Sequence, residues 1–516
     1  MRSFNKREMS PSRLFSFSPM ETQAILSTLS HVKLASTHKE IGMNKGNLSR
    51  RGFLQRSLAA MTIGAGLPTW YAREILAGEE QKAAEEKKAV AANDKMVFGI
   101  IGMGPPPRRA RDLYGEAKGK KVQFVAACNV DKSHLDWTLD QMKKDGFDSV
   151  TGYKDFRELL DRKDINGVII AVPDHWHALI AIDAMRKGKD VYCEKPLTLT
   201  ISEGSALVKV AKQTERVFQV GSQQRSDGRF RLACELVRNG RIGKITRVET
   251  RIGGNPQSPS LPKVEIPTGL DWDFWLGPTP AVDFAELKQG NHTFTRCHYE
   301  FRWWYDYSGG KMTDWGAHHN DIAQWGLGMD GTGPIAVEST GTEPSKEKNS
   351  YNCHPEFKVT YTYENGAKLI CAHTQLEGAV DPKETKFTGK DGKEHKVGHD
   401  NGVLFVGDAD KWIFVNRGII TASDPKLIDE PLPKDAKRLY ESNDHMGNFL
   451  DCVKTRKPTI CTAEVGHRSV SVCHMGVISL RTGKKLKWDP IKERFDDDDA
   501  NKMLSREMRK PWKIEV

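Results

Sequence analysis

A short apolar run followed at once by Gly102-Met103-Gly104 restricts the fold of this chain more than any other sequence feature. The run, residues 96–101, has the length and composition of a strand buried in a parallel sheet. Glycines directly after such a strand allow a tight turn and a close approach of the backbone to a pyrophosphate. We therefore predict that Gly102, Met103 and Gly104 form the phosphate turn of a dinucleotide-binding domain.

Strand-like and helix-like segments alternate after this turn. Candidate strands lie at residues 122–127, 167–172 and 190–193, and candidate helices include residues 178–187 and 201–214. Alternating β and α units predict an α/β fold with a doubly wound parallel sheet of the Rossmann type, which we place at residues 95–220. Ligands of such sheets bind at the carboxyl ends of the strands, where this sequence concentrates its polar residues.

The phosphate turn departs from the usual pattern at its third glycine. Pro105-Pro106-Pro107 stands where the start of a helix would otherwise offer N–H groups to phosphate, and proline has none. The donors must then come from the backbone of Gly104 or of the two following arginines, or from the side chains of Arg108 and Arg109. We take the two arginine side chains as the hypothesis.

The end of the second strand normally presents a carboxylate to the adenosine ribose of NAD. Here Asn129 occupies the expected position, and Asp131 follows two residues later. Asparagine can bind a ribose hydroxyl without repelling a 2′-phosphate, so the sequence leaves both NAD and NADP open, and Asp131 favours NAD.

Residues 221–516 read as a second α/β domain that binds substrate and carries the catalytic groups. Its candidate strands lie at residues 245–252, 356–363, 367–373, 402–406 and 412–415, and two helices are expected at residues 445–454 and 463–480. Clusters of glycine and proline separate these segments.

The N-terminal region contains a pattern typical of an export signal. Residues 49–55, Ser-Arg-Arg-Gly-Phe-Leu-Gln, match the twin-arginine export signal at every fixed position, and an apolar stretch follows. We predict a leader over residues 1–78 with translation starting at Met43, a charged linker over residues 79–94, and export to the periplasm by the twin-arginine (Tat) machinery. The apolar stretch is shorter than the ~20 residues of a membrane span, so no stable span is expected.

Charge and cysteine content exclude two classes of protein. Most of the net charge of +10 lies in residues 1–56, which hold ten Lys and Arg against three Asp and Glu, so the rest of the chain has no basic surface suited to nucleic acid. The nine cysteines include no CxxC pair, which argues against a zinc or redox motif and for buried thiols.

Three motifs together resemble the Gfo/Idh/MocA oxidoreductase family: Glu194-Lys195-Pro196, the loop at residues 173–177, and the segment at residues 309–321 with its Asp-x-Gly-x-His-x-x-Asp pattern. The resemblance runs from about residue 95 to the C-terminus. It implies a Rossmann domain followed by an α/β domain with a large, mostly antiparallel sheet. It also implies hydride transfer between a nicotinamide and a hydroxyl-bearing carbon of a sugar or cyclitol. Such an exposed sheet would suit a homo-oligomer.

The chemistry of the motifs agrees with this resemblance. Asp314 and His318 are spaced i and i+4, so on one helix they would share a face. Histidine has a pKa suited to accepting a hydroxyl proton, and Lys195 can polarise the same oxygen or act as the base itself. The resemblance implies that Lys195, Asp314 and His318 are the catalytic residues. Which of Lys195 and His318 takes the proton stays open.

The resemblance also implies the lining of the cofactor site. We expect five residues beside the cofactor, in addition to the phosphate turn, Asn129 and Asp131; they are Pro173, His175, His177, Glu194 and Gln223. Gln224 and Arg225 are expected along the cleft, and His319 and Asp321 are second choices for the site. The His-x-His spacing at 175–177 lacks a third ligand, so no metal is predicted. The aromatic residues of 301–305 would stack on a sugar or pack in the core.

We therefore predict an exported oxidoreductase that keeps its nicotinamide cofactor tightly bound and acts on a small carbohydrate. One alternative is a NAD-dependent glycosidase or epimerase, in which transient oxidation activates a neighbouring C–H bond. A second alternative is a sugar-binding protein that retains the fold without catalysis.

Overall fold

The computed structural model describes residues 57–64, 66–88, 96–107, 109–374, 386–388, 394–396, 401–408 and 411–515. After a short π-helical turn (Ala60–Gly64), helix α1 (Thr69–Lys88) runs through the predicted boundary between leader and linker at residue 78. The twin-arginine motif and Met43 lie outside the described residues.

Six parallel strands form the first sheet in the order β3-β2-β1-β4-β5-β6. The strands are β1 (Met96–Ile101), β2 (Val122–Cys128), β3 (Thr151–Tyr153), β4 (Gly167–Ile170), β5 (Asp190–Cys193) and β6 (Phe218–Val220). The connecting helices are α2 (Arg109–Lys118), α3 (Lys132–Lys144), α4 (Phe156–Asp161), α5 (Asp174–Arg186) and α6 (Ile201–Thr214). Strands β1, β4 and β5 carry almost only buried side chains, as expected for a parallel sheet covered on both faces. The predicted Rossmann sheet is confirmed.

Nine strands form the second sheet in the order β17-β16-β15-β7-β12-β11-β10-β18-β19. Only the pair β7 and β12 is parallel, and the other pairs are antiparallel, which confirms the mostly antiparallel sheet that the resemblance implied. The strands are β7 (Ile245–Arg251), β10 (Ala336–Gly341), β11 (Phe357–Thr362), β12 (Lys368–Ala372), β15 (Gly402–Gly407), β16 (Trp412–Val415), β17 (Ile420–Ala422), β18 (Leu486–Asp489) and β19 (Arg494–Phe495). Two small hairpins pair β8 (Glu286–Gln289) with β9 (His292–Thr295) and β13 (Lys386–Thr388) with β14 (Glu394–Lys396).

Further helices follow the Rossmann sheet along the described part of the chain. They are α7 (Gly228–Arg238), α8 (Trp272–Leu276), α9 (Lys311–Asp314), α10 (Gly316–Leu327), α11 (Lys426–Asp429), α12 (His445–Thr455), α13 (Ala463–Thr482) and α14 (Asp498–Lys502), with short 3-10 helices at Gln223–Ser226 and His298–Trp303. Strand β11 alternates buried and less buried residues, so Phe357, Val359 and Tyr361 share the face that joins the core.

The C-terminal helices contribute to both cores. Cys461 and Val470 pack among the buried residues of the Rossmann sheet on one face, and Phe449 of α12 packs on the other. Further along α13, Cys473 and Val477 belong to the core of the large sheet. The chain therefore returns to complete the dinucleotide-binding half after building the second sheet.

Helix α1 is anchored to the body of the protein. Leu67, Tyr71 and Ile75 are buried against α7, and the Tyr71 hydroxyl accepts a hydrogen bond of 2.7 Å from Nε of the buried Arg231. Glu74 pairs with Arg438 at 2.7 Å. Residues 67–78, which the sequence assigned to a leader, thus supply side chains to the folded core.

All nine cysteines are free and buried, as predicted. No helix among the described residues has the length and apolar character needed to cross a membrane.

Candidate active site

The phosphate turn has the backbone shape that the two glycines were predicted to allow. Gly102 has φ +95°, and a Cβ at this position would lie 2.4 Å from the carbonyl oxygen of Ala171. Gly104 packs against His134, whose ring would lie 3.0 Å from a Cβ there. The turn is therefore a cradle without side chains at the carboxyl edge of the sheet, which fits a dinucleotide.

Asn129 and Asp131 hold this cradle together. The Asn129 amide donates to the carbonyl oxygen of Met103 at 2.7 Å, and its side-chain oxygen accepts from the backbone N–H of Asp131 at 3.0 Å. Asp131 is the N-cap of α3, where one carboxylate oxygen accepts from the backbone N–H groups of Ser133 and His134. The ribose contact predicted for Asp131 stays a prediction, whereas its capping role is visible.

The second oxygen of Asp131 faces two imidazoles. It lies 3.7 Å from Nε2 of His134 and 3.7 Å from Nε2 of His298. These three side chains are the one group among the described residues with the spacing of metal ligands.

The histidines of the 173–177 loop bind backbone carbonyl groups. His175 donates through Nε2 to the Trp275 oxygen at 2.9 Å, and His177 donates through Nδ1 to the Pro196 oxygen at 2.7 Å. Burial lowers the pKa of both rings, to about 3 for His175. The other ring nitrogen of each is buried without a partner in the described part of the chain, so Nε2 of His177 can still accept a hydrogen bond from a ligand.

Glu194 links three segments at the carboxyl edge of the sheet. It accepts from Gln223 at 2.6 Å and pairs with Arg109 at 3.1 Å. Arg109 also pairs with Glu116 at 3.3 Å and with Asp112 at 3.6 Å, so its guanidinium lies among three carboxylates, and the predicted phosphate contact stays a prediction. Arg108 lies outside the described residues.

Lys195 and Asp314 form the centre of the site. The Lys195 ammonium lies 2.7 Å from a carboxylate oxygen of Asp314, and Nε of Arg302 lies 3.7 Å from the same oxygen. Burial by itself would raise the pKa of Asp314, but the charges of Lys195 and Arg302 outweigh it and hold the pKa well below its usual range. Asp314 is therefore an anion that orients Lys195.

The expectation that Asp314 and His318 share one helix is wrong. Asp314 ends the short helix α9, and His318 belongs to α10, which begins after Trp315. The two residues still meet the same site, because Lys195 and Arg417 both act on His318 electrostatically and Lys195 contacts Asp314.

His318 is a buried, neutral imidazole. Burial lowers its pKa well below the usual value, and the charges of Lys195 and Arg417 lower it further. Its Nδ1 has no hydrogen-bond partner among the described residues. A neutral ring with an unused nitrogen beside an ammonium group is equipped to accept a proton.

Asp174 is a site residue that the sequence did not single out. It is fully buried at the start of α5, where Ser308 donates to it at 2.5 Å, and burial raises its pKa to about 7. Its position directly after β4, at the ligand-binding edge of the sheet, was the available signal.

Several predicted neighbours of the site are structural instead. Arg225 is buried and pairs with Asp321 at 2.8 Å and with Asp330 at 2.8 Å, while His319 bonds to Asn401 at 2.8 Å. Gln224 is buried, with its amide beside the carbonyl oxygen of His318 and the guanidinium of Arg417, and its place along the cleft stays a prediction. The aromatic residues Phe301, Trp303 and Trp304 are 6%, 3% and 1% exposed and pack in the core.

Comparison with known protein families gives two matches along the chain. The model of the oxidoreductase family's NAD-binding Rossmann fold matches residues 96–222. The model of the same family's C-terminal alpha/beta domain matches residues 252–399 and 427–514.

Curated relatives match over part of the chain. A glycosyl hydrolase family 109 protein of Shewanella sp. (strain ANA-3) is 29% identical over 215 residues, which is 39% of this chain and 45% of the relative. An alpha-N-acetylgalactosaminidase of Shewanella oneidensis is 28% identical over 215 residues, with the same coverage of 39% and 45%. The match therefore spans less than half the length of these relatives.

Solved structures share the fold. The WlbA dehydrogenase from Bordetella pertussis, in complex with NADH and UDP-GlcNAcA, has a TM-score of 0.53 at 16% identity and covers 77% of this chain and 99% of that one. An aldose-aldose oxidoreductase from Caulobacter crescentus has a TM-score of 0.51 at 17% identity and covers 76% and 100%. Because the two family models match successive parts of the chain and together cover most of it, the protein belongs to the Gfo/Idh/MocA family of NAD(P)-dependent oxidoreductases.

Proposed function

We propose that this protein transfers hydride between a hydroxyl-bearing carbon of a sugar or cyclitol and a nicotinamide cofactor that stays bound and is restored within the catalytic cycle by giving the hydride to a carbonyl compound. The observation that carries the proposal is the Lys195–Asp314 ion pair beside the neutral His318, at the edge of the sheet where Gly102 opens the phosphate turn. The cradle at Gly102 and the unused Nε2 of His177 fit a dinucleotide whose pyrophosphate lies on the turn.

Each catalytic side chain has a separate task. When bound, the nicotinamide supplies an acceptor for hydride. Lys195, oriented by Asp314, donates a hydrogen bond to the substrate oxygen and stabilises the charge that develops there. His318 accepts the hydroxyl proton at Nδ1, because its lowered pKa leaves the ring unprotonated at neutral pH.

Replacing His318 tests this assignment. We expect His318→Asn to lower kcat by about 10²- to 10⁴-fold, the usual contribution of a general base, while the nicotinamide absorbance of the purified protein is retained. Sugar-dependent reduction of the bound cofactor is the measurement. His292→Asn, at an exposed histidine of the β8–β9 hairpin, is the matched control. Equal kcat values in the two variants would remove His318 from the mechanism.

The names of the curated relatives favour a second candidate, a glycosidase that begins with the same oxidation. In this alternative the cofactor is reduced and restored within one catalytic cycle. Release of the aryl group from an aryl α-N-acetylgalactosaminide, without net NADH, would support the glycosidase. Reduction of the bound cofactor by a free sugar, with no carbonyl compound present to take the hydride back, would support the oxidoreductase.

Retention of the cofactor has its own test. A nicotinamide absorbance that persists through dialysis of the purified protein would support a resident cofactor. Complete loss on a desalting column would contradict it.

Export to the periplasm through the Tat machinery is a further part of the proposal, supported by the motif at residues 49–55. Cell fractionation of the full chain tests it, with Arg50→Lys plus Arg51→Lys as the matched variant. Equal periplasmic amounts of the two proteins would contradict Tat export.

A further inference from the structure

Three cationic side chains gather around a single carboxylate in the site. Lys195 and Arg302 contact Asp314 directly, and Lys311 precedes Asp314 by one helical turn in α9. Lys311 has no carboxylate within 4.0 Å and no hydrogen-bond acceptor for its ammonium among the described residues. The ammonium lies over the Trp303 ring, 5.5 Å from its centre.

The neighbouring carboxyl group of Asp174 does not neutralise these positive charges. Asp174 is partly protonated at neutral pH, because burial raises its pKa to about 7. Lys311 is only partly exposed, and this burial lowers its pKa. The described side chains at this place therefore carry an excess of positive charge, and buried charge without a partner is costly. An unbalanced charge of this kind is typical of a functional site whose ligand supplies the missing charge.

Neighbouring groups fix the orientation of the Arg302 guanidinium. Its Nη1 donates to the Tyr299 carbonyl oxygen at 3.0 Å, and its plane lies over the rings of Tyr299 and Phe301, at 4.5 and 4.8 Å from their centres. Its Nη2 makes no hydrogen bond within the described part of the chain. A guanidinium fixed in this way suits the paired oxygens of a carboxylate or phosphate.

We propose that Arg302 and Lys311 bind an anionic group of the substrate, so that the natural substrate is an acidic sugar that carries a carboxylate or a phosphate. This inference rests on the proposed function, since it places the anion beside the Lys195–Asp314 pair. The shared chemistry is a group with two or three anionic oxygens.

Equilibrium binding to the purified holoenzyme tests the inference without requiring turnover. Calorimetry would compare glucose, galactose and their N-acetylamino counterparts with the matching uronates and 6-phosphates. We expect at least one acidic sugar to bind about 10- to 100-fold more tightly than its neutral counterpart, the range for a charge-assisted hydrogen bond. A preference for the uronate assigns the subsite to a carboxylate, and a preference for the 6-phosphate assigns it to a phosphate.

Substitutions of Arg302 and Lys311 test whether these two residues cause the preference for acidic sugars. Arg302→Gln and Lys311→Gln should each lower the ratio of acidic-sugar to neutral-sugar affinity by about 10-fold or more. Arg302→Lys keeps the charge and removes the fork, so it gives a second test if the glutamine variant folds poorly. Lys368→Gln, at an exposed lysine of β12, is the matched control.

The outcomes separate the two proposals. Equal affinity for acidic and neutral sugars, an acidic preference that survives both glutamine substitutions, or no binding of any acidic sugar would overturn the anion subsite. An acidic preference that depends on Arg302 and Lys311, without cofactor reduction or glycoside cleavage, would support the subsite and count against the proposed function. Turnover of neutral and acidic sugars with equal kcat/KM would support the proposed function and count against the anion subsite.

Discussion

Gly102 is the residue at which a side chain would do the most damage to the cofactor site. Its φ of +95° is unfavourable for any residue with a Cβ, and the Cβ would also meet a backbone oxygen at 2.4 Å. The backbone of Ala171 cannot move aside as a flexible side chain would. The requirement for glycine is therefore set by both conformation and space.

We expect Gly102→Ala to lower the free energy of unfolding by about 1–2 kcal/mol or more and to reduce the amount of cofactor that copurifies with the protein. Thermal unfolding and the absorbance of the purified protein measure these effects. The matched control is Gly115→Ala in α2, where a Cβ would meet nothing within 4 Å and alanine should stabilise the helix by up to about 1 kcal/mol. Similar stability changes in the two variants would contradict the role of the turn.

Asp174 should make stability depend on pH. The folded protein holds its pKa at about 7, above the ordinary value of 3.8, because the residue is buried. Between these values the unfolded chain ionises and the folded chain does not, so the residue destabilises the fold progressively as pH rises from about 4 to 7. We expect Asp174→Asn to gain stability relative to the natural protein over this interval and to hold that gain at higher pH.

Thermal unfolding of both proteins from pH 4 to pH 8 measures the difference. Asp161→Asn, at an exposed carboxylate of α4, is the control and should show little gain. A stability difference for Asp174→Asn that does not change with pH would show that its carboxyl group titrates normally.

At the scale of elements, the sequence predicts best where one segment determines its own structure. The predicted strands at 96–101 and 190–193 and the helix at 201–214 have the bounds found in the structure, because each is a short apolar or amphipathic segment between clear turn signals. The break at Trp315 was missed although Gly316 follows it, because an isolated glycine inside a helical pattern is often tolerated.

Contacts between distant segments account for the rest of what the sequence did not predict. Arg302 and Lys195 lie beside the same carboxylate oxygen of Asp314 only because the fold brings them together, and no local pattern marks that meeting. Arg225 was placed in the cleft, but it pairs with Asp321, which lies almost one hundred residues further along the chain. The proximity of Lys195, Asp314 and His318 was predictable because the family resemblance had already associated them.

Helix α1 gives a prediction at this scale. Tyr71→Phe leaves the buried Nε of Arg231 without its hydroxyl acceptor, so we expect a loss of about 1–3 kcal/mol in the free energy of unfolding. Denaturant titration measures the loss. Tyr440→Phe, at a more exposed tyrosine, should cost less. A neutral effect of Tyr71→Phe would show that this hydrogen bond does not stabilise the folded protein.

At the scale of the whole molecule, the two sheets share their C-terminal helices. Since α12 and α13 bury side chains against the Rossmann sheet, and α13 also packs under the large sheet, neither sheet retains its core when the other unfolds. We expect one cooperative thermal transition, with circular dichroism and tryptophan fluorescence giving coincident midpoints. Two separated transitions would show that the halves are stable independently.

The same shared helices bear on how long a ligand stays bound. A hinge-bending enzyme releases its cofactor when its lobes swing apart, but here such a swing would have to pull α13 away from α6, where His467 already leaves no room for a side chain at Gly204. Exit would then depend on movement of the loops at the mouth of the cleft. Residence time would be set by a barrier to escape, so even a cofactor of ordinary affinity could remain on the protein through many catalytic cycles.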